Sequence, residues 1–197
     1  DGLVNFNSQE NGKLQFNGHL DLKLKNILNK GEQLNLLWNR FGNEKQEFSI
    51  SIKTPYIHNS KLSTAFAFSI YKQDSTFLNT NLNAHLKYQI KNNTNLFVSF
   101  NSEKSENSTK TISNNISTYE NYFLGFGYEY KTLKNDIFKN DLFFININPT
   151  FGKRKTTNNT SKQIKITATL AYLLDLNRNN SIYFRNKTAL LNSTNYF

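Results

Sequence analysis

The chain has 197 residues, 37% hydrophobic and 14% aromatic, with a formal net charge of +10. It has no cysteine, which excludes a disulfide framework, a thiolate metal site and a thiol nucleophile. No stretch approaches the roughly 20 apolar residues of a membrane helix, which excludes a helical span but not a barrel, whose signal is about 10 alternating residues per segment. Alternation of period two runs from end to end. DGLVNFNS is the first predicted strand, and GKLQFNGHLDLKLKN the second, with Leu14, Phe16, Leu20, Leu22 and Leu24 against a polar set. EQLNLLWNRF and EFSISIKTPY are the third and fourth. LSTAFAFSIYKQD is the fifth and FLNTNLNAHLKYQI the sixth. TNLFVSFNSEK, ISTYENYFLGFGYEYK, NDLFFININPTF, KQIKITATLAYLLDL and NSIYFRNKTALL complete about eleven strands. In the eighth, Tyr122 to Tyr130 puts aromatics on one face and Gly125 and Gly127 on the other.

Two faces follow from this pattern. Phe66, Phe68, Ile70, Leu82 and Leu86 are expected to face lipid. Asn79, Asn81, Asn83, His85 and Lys87 are expected to face a wet lumen. The strands read as roughly 9 to 13 residues, longer than the soluble average of about 5 to 6. Tyr56, Tyr71, Tyr88, Tyr119, Tyr122 and Tyr130 fall near strand ends, as an interfacial girdle would, and Trp38 and Tyr56 are candidate interface anchors. The expected fold is all-β, an antiparallel transmembrane β-barrel in which residues 1–197 form a single domain. The alternative is a large soluble β-sandwich.

Link lengths suggest an orientation. Short links are expected after the second, sixth and tenth strands. Long polar links are expected after the seventh (SEKSENSTKTISNN) and the ninth (GKRKTTNNTSK). The dense basic cluster Lys153-Arg154-Lys155 is placed in the latter loop, and Pro55 and Pro149 near strand ends, where a missing N–H is tolerated. Basic residues are otherwise spread along the chain, so nucleic acid is not expected as a partner. An odd strand count leaves an edge unpaired, so either one strand is miscounted or the chain is the front part of a longer barrel; the lack of methionine is expected of a processed product or an excerpt.

No catalytic, cofactor or metal site is expected. His19, His58 and His85 have no ligand-spaced partners. Ser63, Ser69 and His58 are not drawn together by any nucleophile motif. Asp74 and Glu129 are isolated acids, expected to serve lumen hydrogen bonding.

The order of elements resembles the start of the barrel in the BamA/TamA family of outer-membrane assembly proteins. The likeness rests on Gly2 to Phe6 as a glycine-led first strand and on GHLDLKLKNILNKGEQLNLLW, with the turn at Asn26, Leu28 and Gly31. It extends to Thr54-Pro55-Tyr56 at the close of the fourth strand and to SIYKQDSTF at residues 69–77. The resemblance implies a cell-outer-membrane barrel of about 16 strands, with POTRA domains before Asp1 and an Arg-Gly-Phe loop after Phe197. It implies a factor that inserts other barrel proteins, without a cofactor. Its partners would be outer-membrane lipid, unfolded outer-membrane protein clients and accessory assembly lipoproteins. Gly2, Leu3, Val4, Asn5, Phe6, Asn7 and Ser8 would form a lateral gate whose edge takes an incoming strand by β-augmentation. The rival reading is a passive porin or transport channel, favouring anions through its basic excess.

Overall fold

A computed structural model describes residues 1–8, 14–42, 45–57, 60–73, 77–107, 118–133, 141–177 and 179–194. The described residues form one antiparallel sheet of eleven strands in chain order. The strands are β1 (Gly2–Ser8), β2 (Leu14–Lys25), β3 (Gln33–Phe41), β4 (Lys45–Thr54), β5 (Leu62–Gln73) and β6 (Phe77–Lys91). They continue with β7 (Thr94–Asn107), β8 (Tyr119–Leu133), β9 (Asp141–Thr156), β10 (Thr160–Asp175) and β11 (Ser181–Ser193). No helix is long and apolar enough to cross a membrane among the described residues. The sheet is not closed, and β1 and β11 are its two edges.

Register turns the sequence alternation into two continuous faces. Phe68 lies opposite Ile50 on one side and Leu82 on the other. The same row direction carries Leu36 beside Leu22 and Ile50. In the later strands Leu124 sits opposite Phe100 and Phe151, and Phe151 opposite Ile164. Oil therefore meets oil across these pairs, the arrangement that stabilises a sheet through its side chains. The other face carries Asn83 opposite Asn101 and Ala67, and Ser51 opposite Asn35.

The two faces bury the reverse of what a soluble sheet buries. Phe151 is 60% exposed and Leu124 and Phe126 are each 59% exposed, all on the apolar face. Buried strand residues such as Ser99, Asn121, Thr150, Gln163 and Ala171 lie on the polar face. The cause is curvature. Ser99 of β7 donates to Asn148 Oδ1 of β9 at 3.4 Å, passing over β8. Strands two apart in a flat sheet lie about 9.5 Å from each other, beyond the reach of a serine. The sheet must therefore curl toward its polar face. Glycine makes room for this: a β-carbon at Gly125 would stand 2.6 Å from Thr150 Cγ2 and 2.7 Å from Asn148 Oδ1. At Gly127 it would run into the Phe97 ring, and at Gly152 into Phe123.

Several sequence expectations change here. Lys153, Arg154 and Lys155 lie in β9, not in a loop. The link after β9 is only residues 157–159, because the hairpin ladder continues to Lys155 opposite Thr160. Pro149 sits in the interior of β9, not near its end. The ladder from β8 to β9 steps from Gly125–Thr150 to Tyr128–Ile147, so it breaks where Phe126 and Gly127 would meet Pro149 and Asn148. A residue without an N–H interrupts a ladder in this way. Strand lengths run from 7 to 16 residues, a wider range than expected. The tyrosines divide between the faces: Tyr71 and Tyr119 lie on the polar face, where Tyr71 Oη donates to Gln73 Oε1 at 3.0 Å and Tyr119 Oη to Glu103 Oε1 at 2.8 Å. They do not join Tyr88, Tyr122 and Tyr130 in a single girdle.

Candidate functional site

Three places on the sheet gather polar chemistry: the concave face, the turn after β2 and the β1 edge. On the concave face, β6 presents Asn79, Asn81, Asn83, His85 and Lys87 side by side in register, as the alternation requires. Asn101 Nδ2 donates to Asn83 Oδ1 at 2.7 Å and to Asn81 Oδ1 at 3.3 Å, and Asn83 Nδ2 donates to Asn81 Oδ1 at 2.9 Å. The His85 ring stands 6.3 Å from that of Phe97. Asn81, Asn83, His85 and Asn101 border a hollow of about 400 Å³ that also touches Glu103, Asn148 and Lys165.

Glu129 is the hub of this face. Its Oε1 accepts from Lys87 Nζ at 2.8 Å and from Asn95 Nδ2 at 3.0 Å, and its Oε2 accepts from Asn146 Nδ2 at 3.3 Å. One carboxylate thus ties β6, β7 and β9 to β8. The expectation of lumen-type hydrogen bonding for Glu129 fits this, but the residue is not isolated. Sequence spacing could not show the convergence, because Lys87 and Glu129 lie 42 residues apart. Asp74 and His58 lie outside the described residues. His19 pairs with Asn39 on the polar face, and no cluster of three metal-ligating side chains occurs among the described residues.

The β2–β3 turn is built by Asn26, Gly31 and Glu32. Asn26 and Asn29 adopt φ of 56° and Gly31 adopts 73°, the left-handed region that Asn and Gly tolerate. Gly31 N–H donates to Asn26 Oδ1 at 2.8 Å. The buried Glu32 carboxylate accepts the backbone N–H of Leu28 and, at 3.0 Å, that of Lys30. The Leu28 bond is the largest cause holding the Glu32 pKa below its ordinary value, against the opposing effect of burial. Glu32 went unnoticed in the sequence; the left-handed Asn and Gly positions around it were the available signal. Pro55 packs over this turn, close enough that a β-carbon on Gly31 would sit 3.1 Å from its ring.

The β1 edge pairs only with β2, from Gly2 opposite Leu20 to Ser8 opposite Leu14. Gly2, Val4 and Phe6 alternate with Leu3, Asn5 and Asn7, and both Leu3 and Val4 are exposed. The structure does not bring this edge next to β11. Phe66, Phe68, Ile70, Leu82 and Leu86 share the apolar face. Trp38 lies on that same face within β3, opposite Leu20 and Phe48, with its ring over Gly18; Tyr56 is exposed in the β4–β5 link. Neither the protein-family models nor the curated proteins gave a match to the chain.

Proposed function

We propose that the chain forms the wall of an outer-membrane β-barrel, and that it inserts other barrel proteins by lending them its β1 edge. The observation that carries the membrane reading is the inversion of the two faces: large apolar side chains lie exposed while several serines, Asn121, Thr150 and Gln163 are buried. Water would penalise such a surface heavily, at about 25 cal/mol for each Å² of oil it touches, whereas acyl chains would not. The insertion reading is supported by the short, open β1 and by the resemblance of the order of elements to the family of assembly proteins. An unpaired edge offers N–H and C=O groups to any incoming strand, without regard to its side chains. The cysteine-free background makes the test direct. Single cysteines at Leu3, Val4 and Asn5 should form disulfides in cells with cysteines placed along the last strand of a newly made barrel protein. Cross-links that move in step along both strands are expected. If none forms while the protein stays in the membrane, insertion through β1 is wrong.

A channel is the second reading, favoured by the concave face. Basic side chains there, such as Lys53, Lys165 and Arg185, outnumber acids such as Glu103 and Glu129. A channel would give stable, anion-preferring conductance in a planar bilayer; an insertion factor of this kind would not depend on it.

A further inference from the structure

The apolar face changes character at one end of β8 to β10. Leu124, Phe151 and Ile164 form one row across these strands. The next row outward is Tyr122, Lys153 and Lys162, with Lys153 directly opposite Lys162. Two ammonium groups on adjacent strands start from α-carbons about 4.5–5.5 Å apart, and like charges so placed are destabilising. Neighbouring acids are already engaged: Glu120, opposite Lys155, accepts from Lys104 at 3.2 Å, and Glu106 accepts from the same lysine at 2.6 Å. On its other side Lys162 meets the backbone and hydroxyl of Thr194, which bring no negative charge. Neither Lys153 nor Lys162 has an ion-pair partner among the described residues. Below the pair, Tyr122, Leu124, Phe151 and Ile164 border an open apolar groove of about 530 Å³ that reaches both lysines.

We infer that this groove binds one anionic, phosphate-bearing lipid, with its phosphate between Lys153 and Lys162 and an acyl chain along Leu124, Phe151 and Ile164. The proposal rests on the membrane reading given above and adds a specific lipid position to it. Charge complementarity selects the occupant. A zwitterionic head brings its own cation to a place already holding two. A soluble anion would satisfy the lysines but leave the groove uncovered. A peptide partner would need both an acid and a long apolar side chain in fixed order, whereas an anionic lipid has them by constitution.

The test uses the full protein in neutral detergent, with bound lipid counted by native mass spectrometry. Phosphatidylglycerol should bind more tightly than phosphatidylcholine of the same chains. The K153Q/K162Q pair should weaken phosphatidylglycerol binding roughly tenfold or more, and K153R/K162R should retain it. Phe151→Ala should weaken the lipid without altering any effect of inorganic phosphate. Lys187→Gln, on the opposite face, should change nothing. Equal binding of the two lipids, an unaffected K153Q/K162Q variant, or full competition by inorganic phosphate would each overturn the proposal. Failure of the membrane reading is a separate observation: the protein would leave membranes in alkaline carbonate without detergent.

Discussion

The sheet has two unlike ends. Strands β7 to β10 are 14 to 16 residues long. They bury polar-face side chains such as Phe97, Ser99, Asn121 and Gln163. Strands β1 to β4 are 7 to 12 residues long, and Gly18 is the one residue buried in them among the described residues. The difference lies in curvature and not in alternation, which both ends share. Where glycines on β8 and β9 let side chains from alternate strands meet, the polar face closes over itself. Where they do not, the polar face stays open. Side chains on the polar face are therefore packed more tightly in β7 to β10 than in β1 to β4.

Breaking the tall end should cost most. Phe126→Arg puts a charge near mid-height of the apolar face, two rows in from the lysines, and is expected to destabilise the protein in lipid by about 2–4 kcal/mol, whereas Leu3→Arg on the polar face of β1 should cost under about 1. Urea unfolding from lipid vesicles measures both, and equal costs would remove the distinction between the faces. Next comes Gly127→Val, which drives a side chain into the Phe97 ring and should cost about 1–3 kcal/mol. Adding Phe97→Ala should recover part of that loss, and simple additivity of the two would deny the contact. At the loose end, Gly2→Ala should be almost silent, because its nearest neighbour is the movable Leu20 Cδ1 at 3.2 Å.

A smaller effect tests the tie that joins β6 to the tall end. Glu129→Gln keeps the shape but loses the charge facing Lys87, and should cost about 1 kcal/mol or less because the lysine is 37% exposed. A local effect belongs to the β2–β3 turn. Glu32 has its pKa lowered from an ordinary 4.5 when folded. Its stabilising contribution is therefore complete above the unfolded value and is lost as pH falls through the folded one. Amides of Leu28 and Lys30 should lose protection from exchange upon acidification below about pH 4.5, and Glu32→Gln should remove that dependence. Protection that stays flat with pH would mean the carboxylate does not hold the turn.

The strands were legible because oil alternates through nearly all of them, and the partition of Phe66 and Leu82 from Asn83 and His85 follows directly. The ends of β9 and β10 were not legible. Beyond Phe151 and before Ile164 the alternating set becomes lysine, so polarity imitated a loop while backbone pairing continued to Thr156 and Thr160. Pro149 was misplaced for the same reason. The Glu129 hub needed register, which alternation leaves undetermined within any even shift. The open groove beneath Lys153 and Lys162 needed it too.

Pro149 has a consequence for the shape of the wall. The break it makes in the β8–β9 ladder falls beside Gly125, Gly127 and Gly152, the positions that admit the tightest approach on the concave side. The curl toward the polar face therefore has two contributors at one seam: missing backbone rungs between β8 and β9, and side chains that meet across them, as Ser99 and Asn148 do.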